Sequence, residues 1–237
     1  GKGLIEKPYT VIQRANITLA NIDLVTSGGE AKNDAEGNAR FVKALSYFEM
    51  VRLYAQPWGF TADNSHLGLV LKNSGDLETG LSRATVKEVY EEIINDLKKA
   101  ETLLPPTNGN YPGRYAAKAL LARVYFQMND FQNAYNYANE VIASGEVEFD
   151  TSAAFVTNRF SNPVTSEAIF WIINEPGLAA SFGGLRNDAN LNLSMNLPIT
   201  YETYLNGTSN TNDRRKAWYN EVTAGTVYGI KKYSKPD

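Results

Sequence analysis

Apolar residues recur every three or four positions between residues 39 and 55. On a helix turning about 100° per residue, Phe41, Ala44, Leu45, Phe48, Val51 and Ala55 fall on one narrow face. Val42, Tyr47, Met50, Leu53 and Tyr54 occupy the other sides. Apolar side chains therefore cover more than half of the circumference, and the helix is expected to meet neighbours on two flanks. Asn33 and Glu36 have the spacing of a capping box for its start. Pro57 ends it, because a proline cannot continue the helix and pushes Gln56 out of the α region. Arg52 lies inside the apolar stripe, where its stem is expected to pack while its head reaches solvent or a carboxylate.

Three further segments repeat this texture. In "TVKEVYEEIINDLKKAETLLPP", Thr85 and Glu88 form a second capping box, and Val86, Val89, Tyr90, Ile93, Leu97, Ala100 and Leu104 keep the 3-4 alternation up to Pro105. The pattern assigns Glu91, Glu92, Asp96, Lys98 and Lys99 to the solvent side. "GRYAAKALLARVYFQMNDFQNAYNYANEVIASGE" predicts a helical hairpin, with Ala117, Leu120, Leu121, Val124 and Met128 on one stripe and Phe131, Ala134, Ala138, Val141 and Ile142 on the next. Asn129 and Asp130 supply the turn, Asp130 caps the second helix, and Gly145 ends it. Leu121, Ala122, Tyr125, Ala134, Ala138 and Val141 match the tetratricopeptide spacing of small and large positions. "PYTVIQRANITLANIDLV" places Ile12, Ala15, Leu19 and Ile22 together on a helix of the same stack. Beyond residue 146 the period is lost: "SEAIFWIINE" reads as a short strand, residues 177–197 as a long loop, and "VYGIKKY" as a final strand or edge. The expected fold is mainly α, a tetratricopeptide-like α-α helical repeat body over 1–145, with an irregular, loop-rich C-terminal part over 146–237 carrying a few short strands.

Composition removes several kinds of function. The chain has 237 residues, 43% of them hydrophobic, enough to bury a core without staples. It has no cysteine, which excludes thiolate metal sites, disulfides and a cysteine nucleophile within it. A formal charge of −3 made of interspersed signs offers no basic strip for nucleic acid or an anionic membrane surface. No run approaches the roughly 20 apolar residues of a membrane helix. His66 is the single histidine, which argues against a metal site or a serine triad, and no Gly-x-Ser-x-Gly elbow accompanies it. "NGNYPGRY" and "SFGGLRN" lack the features of phosphate-cradling or dinucleotide loops and read as turns. No carboxylate pair is singled out, so no catalytic residue, metal or cofactor is expected. Glycosylation triplets occur at Asn16, Asn192 and Asn206.

Three blocks in order carry a family resemblance: "EGNARFVKALSYFEMVRLYAQPWGF", "LGLVL" with "SRATVKEVYEEIINDLKKAETLLP", and the hairpin segment above. They resemble the SusD/RagB family, the outer-membrane nutrient-binding lipoproteins of Bacteroidetes; "SEAIFWI", "NDRRKAWY" and "GIKKYS" are similar to its weaker later motifs. Members of that family are longer and begin with a signal peptide and a lipid-bearing cysteine. The resemblance therefore implies one SusD-like domain over 1–237, incomplete at its C-terminus. It also implies a non-catalytic protein, lipid-anchored at the cell surface, that binds an oligosaccharide or polysaccharide and delivers it to a SusC-like TonB-dependent transporter. A peptide-binding member of the same family and a tetratricopeptide-type interaction scaffold are the alternatives.

Where the ligand would sit follows from the helix stop at Pro57. The polar loop "PWGFTADNSH" holds Trp58, Phe60 and Asn64. Two uses are open to its aromatics: stacking on a sugar face, with Asn64 hydrogen-bonding hydroxyls, or folding back to cover the helix end. Trp58, Phe60 and Asn64 are the candidate ligand-binding residues.

Overall fold

The computed structural model describes residues 2–75, 80–151, 166–172, 219–223 and 227–230. The chain divides into two compact units, Gly1–Val147 with Ile169–Trp171, and Glu148–Ala168 with Ile172–Asp237.

Among the described residues, the first unit is a row of five α-helices: α1 (Lys2–Ala20), α2 (Gly29–Tyr54), α3 (Val86–Leu103), α4 (Arg114–Gln127) and α5 (Phe131–Ala143). Each packs on the next. The protein is thus mainly helical, with the α-α repeat order that the periodicity predicts. The two-flank expectation for α2 holds: Phe41, Ala44, Phe48 and Val51 are buried on its main stripe, and Tyr47 and Met50 are buried beside it, so α2 packs against both α1 and α3. Gly37 permits the close crossing at the far end of α3, since a Cβ there would stand 2.7 Å from Leu104 Cγ and Cδ2. Arg52 sets its guanidinium 5.2 Å from the centroid of the Phe48 ring and pairs with Glu49 at 3.1 Å.

Two local expectations fail at α2 and α3. The helix begins at Gly29, not after Asn33; Gly28, at φ 107°, turns the chain into it. Glu36 thus lies inside α2 and pairs with Arg40 at 2.7 Å instead of completing a capping box. On α3 the Thr85–Glu88 box does form, with Glu88 N donating to Thr85 Oγ1 at 3.1 Å and Thr85 N to Glu88 Oε2 at 2.7 Å. Asp96, however, is not on the solvent side. It stands three residues after Ile93 and four before Ala100, hence on the buried face, and is 1% exposed.

Arg40 NH1 donates to Asp96 Oδ1 at 2.8 Å, and Lys43 Nζ lies 2.6 Å from Glu92 Oε1 and 3.1 Å from Asp96 Oδ2. The second Asp96 oxygen has charge beside it but no well-aligned hydrogen bond. The α2–α3 seam therefore holds three carboxylates, Glu36, Glu92 and Asp96, against two cations. Burial pushes the Asp96 carboxyl above its ordinary value, against the pull of Lys43.

In the hairpin, Asn129 takes φ 60° and Asp130 caps α5 by accepting from Asn133 N at 3.1 Å. Tyr125 and Tyr137 stack across it with centroids 5.6 Å apart. Ala134 and Val141 are buried, but Phe131 and Ile142, expected on the same stripe, are exposed, because among the described residues no further helix packs beyond α5.

The expected strand at "SEAIFWIINE" is absent from residues 166–172, the part that is described. Ile169 and Phe170 instead pack against the helical core, Phe170 edge-on to Phe41 at 5.2 Å. A short apolar run satisfies either role, so its period cannot separate them. In the second unit, Glu148 N donates to Ser166 O at 3.3 Å. There β1 (Tyr219–Thr223) pairs antiparallel with β2 (Val227–Ile230), matching Tyr219 to Ile230, with an irregularity between Glu221 and Thr223. Residues 177–197, Trp218, Asn192 and Asn206 lie outside the described residues. No helix among the described residues is long and apolar enough to cross a membrane.

Candidate functional site

The candidate site is the connection from α2 to α3, and its shape begins with the way α2 stops. Ala55 is already extended, at φ −120° and ψ 163°. A tight turn follows, closed by Phe60 N donating to Pro57 O at 3.1 Å, with Gly59 at φ 85°. Asn64 holds this turn to the next helix. It adopts φ 57°, a conformation that asparagine tolerates better than most residues, and is 7% exposed. Its Oδ1 accepts from Gly59 N at 2.6 Å, and its backbone carbonyl accepts from Lys87 N, in the first turn of α3, at 3.1 Å.

His66 and Arg83 close the loop from the other side. His66 Nε2 lies 3.2 Å from Gln56 O, and its Nδ1 lies 2.9 Å from Thr61 Oγ1. A carbonyl only accepts, so Nε2 carries the proton and, in the neutral ring, the Thr61 hydroxyl donates to Nδ1. His66 is therefore a staple between the two arms of the loop rather than a freely solvated side chain. Arg83 donates to Gly68 O at 2.6 Å, Leu67 O at 3.1 Å and Tyr54 O at 3.3 Å, placing a cation at the carbonyl end of α2. Gly68 lets the returning strand touch the cap of α3: a Cβ there would meet Thr85 O at 2.8 Å.

The next stretch of the loop is gripped by α1 and α2. Tyr9 donates to Val70 O at 2.9 Å, and Asn16 Nδ2 donates to Lys72 O at 2.9 Å and Ser74 O at 3.2 Å. Tyr47 Oη accepts from Lys72 N at 2.8 Å, and burial pushes its phenol well above the usual range. The Asn16 triplet is thus a buried backbone clamp, with no room for a glycan on its amide.

The three candidate residues separate by role in this geometry. Trp58 is half-buried and leans edge-on against Tyr90 of α3, centroids 5.2 Å apart. Phe60 is 60% exposed and sits edge-on to His66 at 5.3 Å. Asn64 has its carboxamide oxygen committed inside the loop. Beside them Asp63 is fully exposed, its carboxyl held below the ordinary value by hydrogen bonds from Ser65. The site presents an aromatic surface, a carboxylate and hydroxyls on a braced loop, an arrangement suited to binding. Among the described residues, no three or more His, Cys, Asp or Glu side chains are arranged to hold a metal.

Bracing by Asn64 is testable. Asn64→Ala loses the Gly59 bond and strains φ, so the midpoint of urea unfolding should fall by the equivalent of about 1–3 kcal/mol. Asn64→Gly relieves the backbone strain and should cost less; equal costs would mean that φ plays no part.

A row of helices packed each on the next, carrying a braced, aromatic loop, defines a helical-repeat scaffold. A sequence profile described as "Starch-binding associating with outer membrane" matches residues 3–126, and the chain belongs to this SusD-like family. SusD-like protein P2 of Formosa agariphila is 31% identical over 144 residues, which is 60% of this chain and 27% of that protein. A SusD superfamily protein from Bacteroides vulgatus superposes with a TM-score of 0.79 at 25% identity, over 99% of this chain and 55% of its own. A laminarin-binding SusD-like protein superposes with a TM-score of 0.58 at 24% identity, over 72% of this chain and 37% of its own. The chain thus spans about a quarter of the curated relative and about half of the longer-matching structure.

Proposed function

We propose that this chain forms part of a cell-surface protein that captures nutrient glycans and passes them to a SusC-like TonB-dependent transporter, without bond-making chemistry. Attachment to the outer membrane would be through a lipid anchor. The observation that supports this reading is Phe60, an exposed aromatic ring on a loop braced by Asn64, His66 and Arg83. Its ring stacks on a sugar face, and Asn64, accepting from the Gly59 amide between Trp58 and Phe60, holds the turn in place. The family description and the laminarin-binding relative favour a glycan over a peptide.

Native gels containing laminarin or starch test it. Migration should be retarded, and Phe60→Ala should weaken binding about two- to tenfold, the worth of one stacked ring. Binding of peptides but of no glycan would favour the peptide-binding alternative, and release of sugar products would reveal an enzyme.

A further inference from the structure

A groove of about 590 Å³ lies on the helical frame among α2, α4 and α5, and no residue of the α2–α3 loop lines it. Its volume is within the ~300–1,000 Å³ typical of small-ligand sites. The floor is Phe48, which is buried. Two guanidiniums lie over that one ring, Arg52 at 5.2 Å and Arg123 at 5.6 Å from its centroid. Both pair with the same carboxylate, Glu49, at 3.1 and 3.2 Å, and no other carboxylate among the described residues pairs with either. The groove therefore carries two cations against one anion. Its walls are Phe126, Phe131 and Tyr135, exposed by 63%, 57% and 65%. Phe126 and Phe131 meet edge-on at 5.5 Å, leaving ring faces for a ligand.

These features select a ligand. A purely apolar occupant would strip water from two guanidiniums without replacing it, and a neutral sugar would leave the excess charge unanswered. A ring-bearing anion answers both demands. Its carboxylate takes a forked bond from a guanidinium while its rings lie on the aromatic walls. The existing pairs to Glu49 are solvent-exposed, so rearranging them costs little. We propose that this groove binds acidic oligosaccharides, with a uronate carboxylate held between Arg52 and Arg123 and the sugar rings against Phe126 and Tyr135. This rests on the glycan-binding reading and adds a second contact region to it.

The test is calorimetric titration of the 237-residue chain with tetragalacturonate and with maltotetraose. Tetragalacturonate should bind at least about tenfold more tightly, and more weakly as salt rises. Arg123→Gln, at an exposed position that leaves the fold intact by thermal melting, should remove about tenfold of that affinity. Equal affinity for the two tetrasaccharides, or indifference to Arg123→Gln, overturns the proposal. Self-association in sedimentation that Tyr135→Glu abolishes also overturns it, by showing a second copy in the groove. Phe60-dependent binding of the neutral sugar with no uronate preference defeats this inference alone; binding of no glycan defeats both readings.

Discussion

Lys43→Met is expected to lower the free energy of unfolding by about 3–5 kcal/mol near pH 7, the cost of leaving a buried charge without its partner. Lys43 lies between Glu92 and Asp96 in a seam where carboxylates already outnumber cations. With methionine in its place, Asp96 keeps only the bond from Arg40, which also serves Glu36. Asp96 can escape by taking a proton, so the loss should shrink as pH falls. The wild-type carboxyl shows the same tendency: burial raises it above 3.8. A carboxyl raised in the folded state contributes its stability fully below the unfolded value and loses it as pH rises through the folded one. Asp96→Asn removes that slope, and its stability relative to wild type should improve from about pH 4 to pH 7. Glu88 runs the opposite way. Backbone and side-chain bonds from Thr85 hold its carboxyl below the usual range, so its contribution is present at neutral pH and lost in acid. Urea unfolding midpoints across this range separate the two. A Lys43→Met penalty that is independent of pH would show that Asp96 is not the group left stranded.

The sequence made the repeat order legible because each helix announces itself locally. The Thr85–Glu88 box, the Asn129–Asp130 turn and the stops at Pro57 and Pro105 are interactions among near neighbours, so spacing alone predicts them. The failures have the opposite character. Gly28 is a weak capping signal, and the start of α2 is set by a backbone turn that no side chain reports. Asp96 sits at the edge of the apolar stripe, where the pattern assigns it to solvent, and a pair of cations on α2 draws it inside. The exposed Phe131 and Ile142 depend on what packs beyond α5, which a helix's own pattern does not reveal.

The candidate loop shows the same division. Its position was predictable from Pro57, and its chemical character from Trp58, Phe60 and Asn64. What the pattern could not tell apart was which aromatic turns inward. Tyr90, thirty-two residues after Trp58, supplies the surface on which that indole leans, and nothing local marks the pair. His66 and Arg83 were missed as braces for a related reason. Their partners are backbone carbonyls at Gln56, Tyr54, Leu67 and Gly68, and carbonyls carry no sequence signature.

Phe48→Ala should be as damaging as the loss of Lys43, at about 3–5 kcal/mol, because it opens a cavity at a fully buried aromatic site. Phe48→Leu retains most of the volume and should cost less than about half of that. The comparison matters because Phe48 meets Tyr90 edge-on at 6.4 Å, and Tyr90 in turn supports Trp58 at 5.2 Å. If Tyr90 shifts into the cavity, Trp58 loses its support and the turn that exposes Phe60 loosens. Phe48→Ala, but not Phe48→Leu, should then speed hydrogen exchange at the Gly59 amide beyond the increase that lower global stability predicts. Exchange that tracks global stability alone would show that Asn64, His66 and Arg83 hold the loop by themselves. In that case the helical frame would position the loop only at its ends, and the proposed glycan binding would survive core substitutions that leave those braces in place.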